Sequence, residues 1–87
     1  MHMQNYIAMV EVLPKEEILD PEGEMLRQRL SQQASAVSCQ RIRAGRLFEM
    51  RVSAPNEAAA TTQVETWLKD WLVNPVVQVG HIRLIAV

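Results

Sequence analysis

A single cysteine, Cys39, leaves no partner for an internal disulfide, which fits a reducing compartment. Histidine is nearly as scarce. His2 and His81 stand at opposite ends of the 87 residues, so the clustered Cys/His ligands of a zinc site are excluded. The three glycines, Gly23, Gly45 and Gly80, are scattered, and no Walker-type or dinucleotide phosphate loop can be built from them. Neither sign of charge dominates: nine Lys and Arg against ten Asp and Glu give a net charge of −1 and a pI of 6.1. That balance supplies no basic footprint for nucleic acid and no polybasic membrane anchor. Apolar runs extend for only a few residues, too short for a bilayer span. The opening Met-His-Met-Gln-Asn has no charged stretch followed by a long apolar one, so a soluble, cytoplasmic chain is expected. Aromatics are few, with two Trp, one Tyr and one Phe.

What is present reads as one small globular domain spanning 1–87. Hydrophobic residues make up 48% and charged residues 22%, ordinary values for a folded chain. A domain this small leaves a third or more of its unfolded surface exposed. Some apolar surface is therefore expected to be buried between chains, in a homodimer or tetramer.

Four strands and two helices are expected. Residues 4–13 lack breakers and end in apolar and β-branched residues, a strand closed by Pro14. Lys15, two glutamates and Asp20-Pro21 form a loop. In it Asp20 can cap free amides, and Pro21 fits the first helical position. Met25, Leu26, Leu30 and Ala34 follow near helical spacing, predicting a helix over 21–34. A weaker strand is expected over 37–42. Arg43-Ala44-Gly45-Arg46 then reads as a tight turn with Gly45 at positive φ. Phe48, Met50 and Val52 alternate with Leu47, Glu49 and Arg51, so one face of that hairpin strand is buried.

Asn56 is a candidate N-cap for a second helix, and Glu57 suits the positive end of its dipole. Ala60, Val64, Trp67, Leu68, Trp71 and Leu72 form its apolar stripe, and Asn74-Pro75 ends it. Residues 76–87 make a last strand, apolar at both parities, which suggests cover on both of its faces. The order β-α-β-β-α-β predicts a ferredoxin-like α+β two-layer sandwich, an antiparallel sheet with two helices on one face.

Catalytic chemistry is nearly absent. Cys39 and His81 could in principle pair as nucleophile and base, but a small strand thiol and an exposed histidine explain them better. Glu16-Glu17 and Glu22-Glu24 read as a solvated loop and an acidic helix start. Arg41, Arg43, Arg46 and Arg51 are the most suggestive polar group. With Glu49 nearby they serve either as a charged hairpin edge or as a contact surface for an acidic partner or a phosphate. Trp67 and Trp71 fit core packing, or interface anchors if exposed. An RNA-recognition domain needs stacked aromatics on its central strands, and Arg46-Leu47-Phe48-Glu49-Met50 offers one. A small-metabolite regulatory domain remains as the alternative on fold analogy alone.

Three local signatures, in order, resemble the PurS family, the small subunit of phosphoribosylformylglycinamidine synthase. Val12-Leu13-Pro14-Lys15-Glu16-Glu17-Ile18-Leu19-Asp20-Pro21-Glu22-Gly23 is similar to the family's strand end, Lys and Leu-Asp-Pro-x-Gly segment. Ile42-Arg43-Ala44-Gly45-Arg46 followed by Phe48-Glu49-Met50 is similar to its Val-Arg-x-Gly-Lys turn, with Arg46 where Lys is usual. Leu72-Val73-Asn74-Pro75-Val76-Val77 is similar to its helix end. Gln78 and Gly80 depart from the acidic and aromatic residues common there. The resemblance implies a non-catalytic subunit of de novo purine biosynthesis. Its role would be to bridge a glutaminase subunit and a large synthetase subunit and to help ammonia pass between them. ATP and Mg²⁺ would be used by the large subunit, with no cofactor in this chain. Partner contacts are then expected at Lys15, Asp20, Pro21, Glu22, Gly23, Arg43, Gly45, Arg46, Glu49, Asn74 and Pro75.

Overall fold

The computed structural model describes residues 2–87. Strand β1 (Gln4–Pro14) lies at the centre of a three-stranded antiparallel sheet, between β2 (Arg46–Ala54) and β3 (Gln78–Ala86). Tyr6 sits opposite Val52 on one side and Ala86 on the other, and Val10 opposite Phe48 and Ile82. Alternate residues of β1, namely Tyr6, Ala8, Val10 and Val12, are buried under helix α2 (Glu57–Trp67). Ala60 and Val64 of α2 complete that core, and Phe48, Met50, Val52, Ile82 and Leu84 surround it. Asn56 caps α2 as its sequence position indicates, accepting the Ala59 N–H at 2.8 Å.

This is a ferredoxin-like α+β architecture, with two departures from the sequence expectation. The segment 37–42 forms no regular structure and joins no sheet, so the fourth strand is absent among the described residues. A tight hairpin turn needs positive φ at its centre, and no described residue, Gly45 included, adopts it. Residues 37–45 therefore enter β2 without forming the expected hairpin. The second departure concerns helix α1 (Pro21–Ser31), which ends three residues before the expected 34. It does not settle on the sheet beside α2, and Met25, Leu26 and Leu30 stay exposed. Together α1 and 37–42 form a projecting arm. The radius of gyration is accordingly 17.0 Å, against about 12 Å for a compact domain of this length.

The apolar stripe of α2 also divides. Beyond Trp67 the helix continues as a π turn over Leu68–Leu72, where the Val73 N–H reaches the Leu68 carbonyl at 3.0 Å. A wider turn suits a repeat of four better than the α-helical 3.6. Ala60, Val64, Leu68 and Leu72 keep to the sheet side. Trp67 and Trp71 fall on another face, and Trp71 is 82% exposed. The expected core packing of these two tryptophans is therefore overturned.

Candidate partner-binding site

Two segments that the sequence analysis singled out meet at the base of the arm. The Asp20 carboxylate accepts the Ala44 backbone N–H at 2.7 Å, joining the start of α1 to the stretch entering β2. This bond is the main reason the Asp20 carboxyl lies below its ordinary pKa; the Gly23 and Glu22 amides and the Arg41 guanidinium contribute less, against a partial desolvation cost. The expected helix cap is accordingly not made by the side chain. At the Asp20 N-cap position the backbone carbonyl instead accepts the Glu24 N–H at 2.9 Å, and Pro21 opens the helix as its fixed φ favours.

Two arginines clamp the same junction. Arg43 donates through Nη1 to the Pro14 carbonyl at 2.9 Å, and its Nη2 lies 3.8 Å from the exposed Glu16 carboxylate. Arg41 donates to the carbonyls of Glu16 and Ile18. The glycines permit the approach by having no side chain. A methyl group on Gly23 would run into the Ile42 carbonyl, and one on Gly45 into the Val12 carbonyl. Close backbone contact is what both positions require, and at Gly45 it replaces the anticipated positive φ.

The turn before β3 closes the same end of the sheet. The Asn74 carbonyl accepts the N–H groups of Val77 and Gln78 at 3.1 and 2.8 Å, and its side-chain Oδ1 accepts the Val76 N–H at 3.2 Å. Pro75 is exposed in that turn. The Lys15 N–H then donates to the Val77 carbonyl at 2.9 Å, prolonging the pairing of β1 with β3 beyond Pro14–Gln78. Lys15, the Asp20–Gly23 start of α1 with Glu22 exposed on it, Arg43, Gly45, Arg46 and the Asn74-Pro75 turn thus gather at one end of the molecule. Glu49 does not belong to this group. It lies in the middle of β2 opposite Met9.

The arginine group of the sequence analysis is divided: Arg41 and Arg43 serve the arm base, and Arg51 lies opposite Ile7 in the sheet. Cys39 is exposed in a groove with Leu30 and Val37, and His81 borders a different groove with Lys15 and Arg43, so these two are not brought together. Sequence reasoning missed the clamp role of Arg41 and the exposure of Met25, Leu26, Leu30 and Val37 on the arm. The repeat of four in Ala60, Val64, Leu68 and Leu72 was the available signal that Trp67 and Trp71 lie elsewhere. Among the described residues, no helix is long and apolar enough to cross a membrane, and no three metal-ligating side chains cluster.

Fold and site define a class: a small ferredoxin-like chain whose polar motifs knit backbone segments together and whose arm carries uncovered apolar side chains. The family model of PurS, phosphoribosylformylglycinamidine (FGAM) synthase, matches residues 7–86. The chain is 30% identical over 74 residues to the phosphoribosylformylglycinamidine synthase subunit PurS of Synechocystis sp., covering 85% of this chain and 73% of that protein. Its fold matches the crystal structure of the purS subunit from Thermotoga maritima with a TM-score of 0.83 at 25% identity, covering 98% and 97% of the two chains. A chain in the structure of PurLQS from the same organism matches with a TM-score of 0.80 at 26% identity, covering 93% and 98%. The chain belongs to the PurS family and is a subunit of phosphoribosylformylglycinamidine synthase, a glutamine-dependent, ATP-using ligase of purine biosynthesis.

Proposed function

We propose that this chain acts in the cytoplasm as one domain and as a homo-oligomeric, non-catalytic bridge between the glutaminase subunit and the large synthetase subunit of that ligase. ATP and Mg²⁺ are handled by the large subunit. The observation that carries the reading is the arm. Met25, Leu26, Leu30 and Val37 are exposed on an element tied at its base by the Asp20–Ala44 and Arg43–Pro14 hydrogen bonds, and apolar side chains grouped in this way mark an interaction surface. The base itself, with Lys15, Pro21, Glu22, Arg46, Asn74 and Pro75 at one end of the sheet, supplies a polar rim beside it. The similarity to a chain within PurLQS of Thermotoga maritima supports membership in a three-component assembly.

The physical task suits such a chain. Ammonia released into water would be protonated and lost as a nucleophile, so the sites that make and use it must be joined by a sealed contact. A seal requires shape and dryness, and no chemistry of its own. Size exclusion coupled to light scattering tests the reading, with the cognate synthetase and glutaminase subunits in the presence and absence of Mg-nucleotide and glutamine. Co-elution as one heavier species is expected. Separate elution under every ligand condition would refute the bridge.

A further inference from the structure

Strand β3 forms one edge of the sheet, and its outer side pairs with no strand among the described residues. The Lys15 N–H donates to the Val77 carbonyl at 2.9 Å, and the Val87 N–H to the Asn5 carbonyl at 3.0 Å. Backbone groups in an antiparallel ladder alternate between the two sides of a strand. His81, Arg83 and Ile85 therefore turn theirs toward β1, in step with Val77 and Val87, and Gly80, Ile82 and Leu84 turn theirs outward. Edge strands are ordinarily closed off by proline, by a bulge or by a charge on the inner face. β3 has no proline, its register with β1 is unbroken, and Gly80, Ile82 and Leu84 place no charge on its α2 side. The same three residues floor a groove of about 440 Å³ between β3 and α2. Leu68 reaches over Gly80, and Glu57, Thr61 and Glu65 form the wall at one-turn intervals. Ile82 and Leu84 stay half-exposed there, and the exposed Glu57 and Glu65 have no ion-pair partner among the described residues.

We propose that this edge takes an added strand from another subunit of the ligase: an extended segment with apolar side chains toward Ile82 and Leu84 and lysine or arginine toward Glu57 and Glu65. The proposal rests on the bridging reading above and gives the bridge a contact that shares no residue with the arm. Strand addition draws its affinity from main-chain hydrogen bonds and its selectivity from alternate side chains. The outward groups of Gly80, Ile82 and Leu84 offer three donors and three acceptors for the first, and the acidic wall supplies the second. A second copy of β3 is the poorer occupant. Two paired β3 strands would set the two α2 helices, each over its own β1, about 14 Å apart, or three strand spacings. Glu57 and Glu65 of both copies would then face into one gap, where like charges are costly. Charge complementarity selects a basic segment.

Amide hydrogen exchange tests this, read residue by residue on the full chain, free and mixed with the cognate synthetase and glutaminase subunits. In the free chain the Gly80, Ile82 and Leu84 amides are expected to exchange freely and those of His81, Arg83 and Ile85 slowly. In the complex the first three are expected to slow at least tenfold. Combining Glu57→Lys with Glu65→Lys should raise the chain concentration needed for half-maximal co-elution at least tenfold. Slow exchange at His81, Arg83 and Ile85 in the free variant shows that its sheet is intact. Slow exchange at Gly80, Ile82 and Leu84 in the free wild-type chain would overturn the proposal, because the edge would already be covered. Co-elution with those three amides still open would overturn this edge and leave the bridge standing, and co-elution indifferent to the double reversal would overturn the basic occupant. Separate elution under every ligand condition would overturn the bridge and the edge together.

Discussion

Asp20 and Ala44, twenty-four residues apart, are joined by a 2.7 Å hydrogen bond from a backbone N–H to a carboxylate. The bond fixes the start of α1 relative to the entry of β2. The arm can therefore project without packing on its own sheet and still hold a defined direction.

Protonation should loosen that joint. The folded-state pKa of Asp20 lies below the ordinary 3.8, so its contribution is fully present above pH 3.8 and is lost as pH falls through the lower folded value. The Ala44 amide proton shift, followed by NMR, should titrate with a midpoint below 3.8. In Asp20→Asn the amide oxygen still accepts but carries no charge, and the same shift should stay flat across that window. Asp20→Ala should show the released position at every pH.

Gly45→Ala should destabilise the free chain by about 1–3 kcal/mol, the usual range for forcing an atom into filled space, because the new methyl meets the Val12 carbonyl. Gly23→Ala meets the Ile42 carbonyl in the same way, with alanine's helix preference returning up to about 1 kcal/mol. Gly80→Ala meets only the movable end of the Leu68 side chain and should cost least of the three. Urea denaturation of each variant measures the series.

Arg43 and Arg46 should behave differently although they stand three residues apart. Arg43 is half-buried and bonded to Pro14, while Arg46 is exposed with no side-chain hydrogen bond among the described residues. Arg43→Ala should lower both the melting temperature and the affinity for the larger subunits. Arg46→Ala should leave the melting temperature within about 2 °C and lower affinity alone. Calorimetry beside the co-elution assay separates the two effects.

Val64→Ala should cost about 2 kcal/mol in unfolding free energy, since it removes two fully enclosed methyl groups from the heart of the core. Trp71→Ala should stay within about 0.5 kcal/mol of the parent, as exposed substitutions do. It should nevertheless weaken assembly with the larger subunits at least tenfold, as loss of an aromatic anchor does.

Much of this architecture was legible in the sequence because it follows from local rules. Alternation in β1 and β2, the Asn56 cap and Pro21 at the helix start all depend on neighbours a few residues away. Two features were illegible for one reason: they depend on distant backbone. The stretch before β2 is tied by arginine side chains to the distant carbonyls of Pro14, Glu16 and Ile18, which no local pattern announces. Whether Asp20 caps its own helix is decided by a competing amide at Ala44. The candidate site residues were chosen by their motifs, and the motifs did not reveal that Glu49 stands apart from the rest. Only the register opposite Met9 showed that. Trp71 was misjudged because a 3.6-residue period was applied where the helix widens at Leu68–Leu72, and Trp67 because the stripe was drawn wider than the face carrying Ala60 and Val64.

The strand order β2-β1-β3 also governs how the chain can be born. The central strand is made first, yet Gln4–Pro14 must wait for residues 46–54 on one edge and 78–86 on the other. At about 5–20 residues per second, roughly 4–16 s of synthesis separate Gln4 from Ala86. Until residues 46–54 are made β1 is an apolar template with two open edges, and the edge that takes 78–86 stays open for the rest of the interval, since pairing across so long a stretch is slow to close. Production of this protein should therefore depend on what the ribosome and chaperones do with Gln4–Pro14 before its partner strands arrive, and should respond to translation speed and growth temperature more than its finished stability suggests.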